Sequence, residues 1–386
     1  MTSARILIIG GGLGGLCLAQ GLKRAGLPFT LFERGHGELH AGQGDRLRID
    51  AAGQEALACC LPVDLLYLLY QSASYADADP WYIDGTMTPF ETNRLESDAF
   101  SSGALPDLVV HQQTLREILA CGLHNSMHLG RRLEAFEESA DGVAARFDGG
   151  ETVCGTILCG ADGAASEVRE QVMTEIVSET TGQLCLYGRL PATAENCRAL
   201  GRDLCAGTSV IRADGVTCTV DVLTFRGSMQ VLAGQIAPDC TLSAVEDYIY
   251  WELTGPAERL SAIAGSADRH DAMGRLVRGW ARPLQNLFLR GDPAEWGSVP
   301  LHRLRQDRPL HTQHVALLGD AAHGLNVTTG AAAAFQDAAD LVARLRRAWP
   351  CGATGGALRA YEEARRIRAN YASLAAGPLL SNSKAA

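Results

Sequence analysis

The residues with the most specific spacing for chemistry are three glycines near the start of the chain, in the pattern Gly10-x-Gly12-x-x-Gly15. In such a pattern the first glycine permits a tight turn, the second lets a pyrophosphate approach the backbone, and the third lets a helix pack on a strand. The N-terminus of that helix attracts negative phosphates. Glu33 lies 18 residues after Gly15, where an acidic side chain accepts hydrogen bonds from an adenosine ribose. We therefore predict a dinucleotide site, and the motif alone does not distinguish FAD from NAD.

Two further segments place an aspartate directly after an apolar run. In Gly160-Ala161-Asp162-Gly163 the loop leads to a helix that Ser166 could cap, and Asp162 could accept hydrogen bonds from a ligand or a neighbouring loop. In Gly319-Asp320-Ala321-Ala322-His323 the aspartate follows a buried-type strand, at the end where α/β sheets bind ligands. Each segment also has a plainer interpretation, because Asp and Ser are good helix N-caps.

The hydrophobic pattern predicts the elements that position these residues. Residues 6–9 form a short apolar run, residues 16–25 repeat at helical spacing, and residues 29–32 form a second apolar run. This strand–helix–strand opening implies parallel strands and an α/β domain. Long helices are also predicted over residues 331–348 and 358–374. We interpret the arginines of the second one, Arg365 among them, as an exposed charged face.

The middle of the chain has a different pattern. Residues 216–225 alternate between apolar and polar types, and residues 229–233 follow after a Gly-Ser turn, which predicts an antiparallel sheet. The predicted fold class is α/β, with a Rossmann-like dinucleotide-binding domain interleaved with a mostly antiparallel β substrate-binding domain, and with long C-terminal helices. The predicted boundaries assign residues 1–75, 108–175 and 285–386 to the first domain, and residues 76–107 and 176–284 to the second.

Composition limits the classes of function. The chain has 386 residues, a formal net charge of −10 and no long run of Lys and Arg, so nothing indicates a nucleic-acid partner. No apolar run of about 18 residues indicates a membrane span, and the glycine-rich start does not fit a signal peptide, so we expect a cytoplasmic protein. The twelve cysteines include no CxxC pair, and we expect all of them to be reduced. No metal site is predicted.

Together the three motifs resemble those of the class A, single-component FAD-dependent aromatic monooxygenases, the family that includes p-hydroxybenzoate hydroxylase and the tetracycline-inactivating monooxygenase. The resemblance covers nearly the whole chain. Residues 160–169 match every fixed position of the family pattern Gly-x-Asp-Gly-x-x-Ser-x-x-Arg, which serves both FAD and NADPH in that family. Residues 319–323 are similar to the second flavin motif, whose aspartate binds the ribityl chain.

The resemblance also implies roles for residues outside these motifs. Arg46 lies in the strand whose arginine approaches the flavin, Gln112 lies at the helix start that touches it, and Leu133 lies in the strand that passes the adenine. No residue is assigned a certain catalytic role, because the flavin carries the chemistry; Arg46 and His323 are weak candidates. The implied cofactor-binding residues are Gly10, Gly12, Leu13, Gly14, Gly15, Glu33, Arg34, Arg46, Gln112, Leu133, Asp162, Arg169, Gly319, Asp320 and Gly330.

One segment departs from the family pattern. After His323, relatives usually continue with a proline and a Gly-x-Gly before a helix, whereas this chain has a shorter loop over residues 324–330 that lacks the proline and one glycine. Gly330 matches the remaining glycine. It directly precedes the helix whose N-terminus would face the flavin's pyrimidine edge and stabilise negative charge on reduced flavin.

The resemblance implies an FAD-dependent monooxygenase. NADPH or NADH would reduce FAD, and a flavin C4a-hydroperoxide formed from O2 would then oxygenate an aromatic or polycyclic organic molecule. Hydroxylation is the commonest outcome in the family, and epoxidation or Baeyer–Villiger insertion stays open. Two alternatives also stay open: an FAD-dependent reductase or dehydrogenase on the same fold, and a non-catalytic protein that binds FAD or another ligand. The sequence does not choose between NADPH and NADH, and it does not indicate the oligomeric state.

Overall fold

A computed structural model describes residues 4–36, 45–75, 80–90, 105–173, 178–304, 312–324 and 330–381. Its strands, in chain order, are β1 Ile6–Ile9, β2 Phe29–Glu33, β3 Arg46–Ile49, β4 Ser74–Tyr75, β5 Trp81–Asp84, β6 Leu108–His111, β7 Met127–Leu129, β8 Leu133–Ser139, β9 Gly142–Phe147, β10 Thr152–Gly155, β11 Ile157–Gly160, β12 Ser178–Pro191, β13 Ser209–Ala213, β14 Val216–Leu223, β15 Tyr248–Pro256, β16 Gly297–Leu304 and β17 Val315–Leu317. Its α-helices are α1 Leu13–Arg24, α2 Ala51–Cys60, α3 Val63–Ser72, α4 Gln112–Ala120, α5 Glu167–Val172, α6 Ala194–Leu200, α7 Met229–Ile236, α8 Ala257–Ala264, α9 Arg269–Leu276, α10 Arg282–Leu289, α11 Asp320–His323, α12 Gly330–Ala348 and α13 Thr354–Ser381.

A parallel sheet of five strands, in the order β17-β11-β1-β2-β7, forms one half of the molecule and takes strands from both ends of the chain. Its central strand, β1, pairs in parallel with β11 on one side and with β2 on the other. All four residues of β1 are buried, as expected for a parallel strand that is covered on both faces. Helices α1 and α12 contribute to the core on one face, and β8 and β9 contribute to a separate core on the other. This arrangement confirms the predicted Rossmann-like α/β class.

The two long C-terminal helices are confirmed, but the prediction of an exposed charged face on the second was wrong for Arg365 and held only in part for Arg366 and Arg368, which are half-buried. Arg365 of α13 is fully buried, and its guanidinium donates to Glu362 at 2.8 Å. On the same helix, the hydroxyl of Tyr361 donates to the carbonyl of Leu317 at 2.7 Å, so α13 packs directly on β17. A buried guanidinium is tolerated because its carboxylate partner lies one helical turn away, and charge alone does not reveal that pairing.

A second sheet of six strands forms the middle of the molecule, in the order β16-β12-β15-β14-β13-β5. All neighbouring strands are antiparallel except β13 and β5, which confirms the mostly antiparallel β prediction. One face packs on helices α6 and α8 to α10 around Trp251, Phe288 and Val220. Strand β16 pairs with β12 in this sheet. We therefore propose that the substrate-binding domain ends after β16 rather than at residue 284.

The prediction of a strand over residues 229–233 was wrong, because this segment is the helix α7. Met229 and Ala233, four residues apart, are both buried at 1% exposure. Their spacing therefore follows one face of a helix, and α7 packs on α3 through that face. The two apolar positions fit either period over so short a run, so the tertiary contact decides.

Two small sheets complete the fold. The order β3-β6-β4 joins the two halves, and the order β10-β9-β8 covers one face of the parallel sheet. None of the helices in the described part of the chain combines the length and the apolar composition needed to cross a membrane.

The expectation that all cysteines are reduced was wrong for Cys121 and Cys240, which form a disulfide with a Cα–Cα distance of 5.4 Å. Cys121 caps α4, and Cys240 lies in the segment after α7. The two residues are 119 positions apart, so only the tertiary fold brings them together. Nearby, Glu117 of α4 accepts hydrogen bonds from the backbone and hydroxyl of Ser243, at 2.8 Å and 2.6 Å. The disulfide therefore ties the middle of the chain to α4.

We expect Cys240→Ser to lower the free energy of unfolding by about 2–4 kcal/mol, because the cross-link restricts a long loop in the unfolded chain. Urea denaturation of the unreduced protein measures this difference. Cys59→Ser is the matched control, since Cys59 is exposed and forms no disulfide. This substitution should leave the free energy of unfolding unchanged. Equal stability of the Cys240→Ser variant and the unsubstituted protein would contradict a formed disulfide.

Candidate functional site

The three motifs meet at the carboxyl edge of the parallel sheet. The backbone N–H of Gly10 donates to Phe32 at 2.8 Å, and that of Ala161 donates to Ile9 at 2.7 Å. The N–H of Leu318 donates to Gly160 at 3.0 Å, which brings the loop after β17 to the same edge. Open α/β sheets bind ligands at this edge, so the structure brings the sequence motifs together where a dinucleotide would bind.

The glycines of the first motif have the geometry that their roles require. Gly10 has φ of +108°, and a Cβ there would lie 2.3 Å from the carbonyl oxygen of Ala161. A Cβ on Gly15 would lie 2.0 Å from the carbonyl oxygen of Gly10. At Gly12, in contrast, the nearest atom would be 3.9 Å away, and α1 has no acidic residue in its first turn. The N-terminus of α1, with Leu13 and Gly14, is therefore open to a phosphate.

Glu33 ends β2 beside this loop. Its carboxylate accepts the N–H of Gly11 at 2.6 Å and the N–H of Gly35 at 2.9 Å. Arg116 of α4 donates to the carbonyl of Gly11 at 3.0 Å, so Gly11 is held from two sides. The sequence did not predict this contact, because an arginine on one helix gives no signal of a partner 105 residues away along the chain. Arg34, the next residue after Glu33, is exposed.

The contacts of the Gly160–Gly163 loop show the capping role that the sequence left as an alternative. Asp162 accepts the hydroxyl of Ser166 at 2.5 Å and the N–H of Val168 at 3.2 Å, and Ser166 caps α5. Burial raises the pKa of Asp162. The guanidinium of Arg169 donates to Ala164 at 2.6 Å and to Ala321 at 3.2 Å. Arg169 thus joins the second motif to the third.

Asp320 differs from Asp162, because its carboxylate makes no hydrogen bond to another described residue and does not cap α11. Burial raises the pKa of Asp320 to about 6, against the opposing effect of His323. The preceding Gly319 has φ of +60°, and a Cβ there would lie 3.0 Å from that of Ala334. Asp320 is half-buried, and a partly desolvated acceptor without a donor gains when a ligand supplies one, so Asp320 fits the hydroxyl of a bound polyol chain.

His323 lies in a buried network with Asp337 of α12. Its Nε2 is 2.7 Å from Oδ2 of Asp337, which also accepts the N–H of Gly319 at 3.1 Å. Arg368 of α13 donates to the other oxygen at 3.0 Å. The sequence reading missed this network, although Asp337 and Asp340 on α12 and Arg365 and Arg368 on α13 recur at helical spacing. The catalytic role of His323 stays a prediction.

Arg46 and Gln112 lie side by side where β3 meets the start of α4. Arg46 pairs with His111 across β3 and β6, and the N–H of Gln112 donates to the carbonyl of Asp45 at 2.9 Å. The guanidinium of Arg46 donates through Nε to Asp221 of the middle sheet at 2.6 Å. Arg46 thus bonds to the middle sheet, and the side chain of Gln112 makes no hydrogen bond among the described residues.

The two remaining predicted residues, Leu133 and Gly330, lie on different elements, β8 and α12. Leu133 is buried at the start of β8, in a core cluster with Phe32 and Phe147. Gly330 is the first residue of α12, so the helix begins one residue earlier than the sequence predicted. Residues 325–329 of the shortened loop lie outside the described residues, so the departure from the family pattern there stays a prediction.

Comparisons with known proteins agree with this geometry. A family model described as an NAD(P)-binding Rossmann-like domain matches residues 8–38. The chain is 27% identical over 372 residues to the dual O-methyltransferase/FAD-dependent monooxygenase elcB of Phaeosphaeria nodorum, covering 87% of this chain and 39% of that protein. It is also 27% identical over 370 residues to an FAD-dependent urate hydroxylase of Klebsiella pneumoniae, covering 94% and 85%. The chain thus spans about two fifths of the length of the first of these relatives.

Solved structures show the same fold. A protein from Photorhabdus luminescens aligns with a TM-score of 0.82 at 22% identity, over 99% of this chain and 98% of that one. Klebsiella pneumoniae HpxO, complexed with FAD and uric acid, aligns with a TM-score of 0.71 at 21% identity, over 98% and 91%. The homologues are FAD-dependent monooxygenases, which confirms the resemblance to that class and supports an oxidoreductase enzyme. The NAD(P)-binding Rossmann-like match over residues 8–38 agrees with the dinucleotide site predicted there.

Proposed function

We propose that this chain binds FAD at the carboxyl edge of the parallel sheet and uses NAD(P)H and O2 to oxygenate an aromatic or polycyclic organic molecule. The observation that carries the proposal is the convergence of three motifs on one edge. There the N-terminus of α1 is open, and the carboxylate of Asp320 makes no hydrogen bond to another described residue, so both are available to a ligand. The two named relatives support the proposal, because both carry FAD-dependent oxygenation in their names and both match most of this chain.

Several parts of the structure would contact the bound FAD. The N-terminus of α1 would hold the pyrophosphate through the N–H groups near Gly12, and Glu33 would exchange its contact with Gly11 for the adenosine ribose. Asp320 would accept a ribityl hydroxyl. Gln112, at the first turn of α4, and Gly330, at the start of α12, would contact the flavin ring.

Bound FAD would supply the redox chemistry that links NAD(P)H to O2. The chain's own residues would position the ring and keep water away from it. The aromatic face of the middle sheet, with Tyr187, Tyr248 and Tyr250, lies across from β3 and would form the other wall of the substrate site. Sites between domains are typical of small-molecule enzymes.

Isotopically labelled dioxygen tests this proposal. The FAD-loaded protein is incubated with NADPH or NADH and a panel of polycyclic aromatics, and the products are analysed by mass spectrometry. We expect one labelled oxygen atom in the product. Reduction of the flavin by NAD(P)H with no label in any product would instead favour the reductase, and a flavin that no nicotinamide reduces would favour the non-catalytic binder.

A further inference from the structure

The two faces of the middle sheet differ in chemistry. On β15, Ile249, Trp251 and Leu253 point towards the helices and are fully buried in an apolar core. The alternate residues Tyr248, Tyr250 and Glu252 point to the opposite face, as strand geometry requires. The neighbouring strand β14 places Thr219 and Asp221 on that same face, opposite Glu252 and Tyr250. This polar and aromatic face is the one that meets β3.

Most of the charges on this face satisfy one another. Asp221, 2% exposed, accepts hydrogen bonds from Arg46 at 2.6 Å and from Arg48 at 2.9 Å. The hydroxyl of Thr208 donates to the same carboxylate at 2.6 Å. Arg48 also pairs with Asp107 at 3.4 Å. Burial would raise the pKa of Asp221, but the two guanidinium groups hold it below its usual value.

Glu252 is the exception. Its side chain is 17% exposed, and its nearest charged partner is Nη1 of Arg46 at 3.8 Å, beyond hydrogen-bond distance. No hydrogen bond from another described residue reaches its carboxylate. Burial raises the pKa of Glu252. The cluster contains three carboxylates, those of Asp107, Asp221 and Glu252, but only two guanidinium groups, those of Arg46 and Arg48. It therefore has an excess of negative charge, and the carboxylate of Glu252 lacks a hydrogen-bond donor among the described residues.

The position of Glu252 suits contact with an aromatic ligand. Across the sheet it pairs with Tyr187 of β12, and Tyr250 lies two residues away on the same face. The guanidinium of Arg46 lies 5.3 Å from the centre of the Tyr250 ring. On β3, Arg46 pairs with His111, the residue before Gln112, so the cluster adjoins the proposed flavin site. A carboxylate framed by tyrosine rings would bind a flat molecule by an edge that donates a hydrogen bond.

We propose that Glu252 is the specificity-determining residue of the substrate site, and that it selects aromatic molecules that present a phenolic hydroxyl or another weakly acidic donor. The inference rests on the proposed function for the location of the substrate. A donor supplies the hydrogen bond that the carboxylate lacks, which is worth more than a neutral one because the acceptor is charged. An aromatic carboxylate would add a further negative charge to the excess already present and is therefore expected to bind more weakly.

Ligand binding without turnover tests this assignment. The oxidised, FAD-loaded protein is titrated with a naphthol, its methyl ether and a naphthoate, and the perturbation of the flavin absorbance gives each Kd. We expect the naphthol to bind at least about tenfold more tightly than the ether, as a charge-assisted hydrogen bond allows. Naphthoate should bind more weakly than either. In Glu252→Gln, which keeps the shape but loses the charge, and in Glu252→Ala, the advantage of the naphthol over the ether should shrink to about threefold or less.

The control and the outcomes separate this assignment from the proposed function. Glu258→Gln changes an exposed glutamate of α8 and should keep the unsubstituted protein's selectivity. A purely structural role for Glu252 would weaken all three ligands together and leave the naphthol-to-ether ratio intact, which would overturn the assignment. So would preference for the naphthoate, or binding of none of the three ligands. If the ratio changes as expected but no labelled oxygen enters any product, the Glu252 assignment stands and the monooxygenase proposal fails.

Discussion

Replacing Asp320 by asparagine is expected to weaken FAD binding by about a hundredfold, because a charge-assisted hydrogen bond to the ribityl chain is lost. The same replacement is expected to stabilise the FAD-free protein. In that protein the half-buried carboxylate has no hydrogen-bond partner among the described residues, and partial burial raises its pKa to about 6. Asparagine removes the buried charge while keeping the shape.

The dependence of this effect on pH follows from the sign of the shift. Because the pKa of Asp320 is higher in the folded protein than in the unfolded chain, the folded state binds the proton more tightly. The stability that this provides is present at acid pH and is lost as the pH rises through about 6. Above that pH we expect Asp320→Asn to raise the free energy of unfolding of the FAD-free protein by about 2 kcal/mol. FAD affinity of the unsubstituted protein should fall as Asp320 becomes protonated, and that of the variant should not.

Titration calorimetry with FAD and urea denaturation of the FAD-free protein measure the two effects. Asp64→Asn, which changes an exposed aspartate of α3, is the control and should alter neither. A variant that retains FAD affinity would remove Asp320 from the proposed site. A variant that loses affinity and also becomes less stable would indicate a structural role instead.

Replacing Asp337 by alanine is expected to lower the free energy of unfolding by about 3–5 kcal/mol, the usual cost of breaking a buried charge pair on one side. The carboxylate is 1% exposed and joins the N–H of Gly319, His323 and Arg368. Burial would raise the pKa of Asp337, but His323 and the arginines hold it below its usual value. Its contribution is therefore present at neutral pH and lost as the pH falls, so the difference should narrow in acid.

The neighbouring Asp340 provides the matched control. It lies on the same helix and pairs with Arg344 and Arg368, but it is 20% exposed. Asp340→Ala should therefore cost only about 1 kcal/mol or less. Comparable losses in urea denaturation for the two variants would show that the buried network does not hold the Gly319 loop. The Asp337→Ala variant should also bind FAD less well, because the N–H of Gly319 loses its acceptor beside Asp320.

The parts of the fold that sequence reading predicted are those encoded by local pattern. The apolar run of β1, the glycines that follow and the long helix α12 each carry a periodic or positional signal within a short window. The segment over residues 229–233 was too short for its period to separate a strand from a helix, and packing of α7 on α3 determined the outcome. The Cys121–Cys240 disulfide depends on contacts between distant segments, which no spacing rule reveals.

The candidate site divides in the same way. Local motifs identify Gly10, Gly15 and Asp320, and the cofactor-binding roles predicted for them stay predictions. The residues that support them do not, because Arg116, Asp337 and Arg365 act through contacts with chain segments far away in sequence. The proposed substrate face is encoded least directly, since a half-buried glutamate such as Glu252 looks in the sequence like any polar residue of an alternating strand.

Our main proposal for this chain is a site that holds FAD at the edge where the three motifs meet and activates O2 there. The most direct test is to photoreduce the FAD-loaded protein without oxygen and to mix it with aerated buffer in a stopped-flow spectrometer, with a naphthol present. We predict a transient absorbance of an oxygen adduct before the oxidised flavin spectrum returns. A protein that remains colourless and cannot be reconstituted with FAD would contradict the claim.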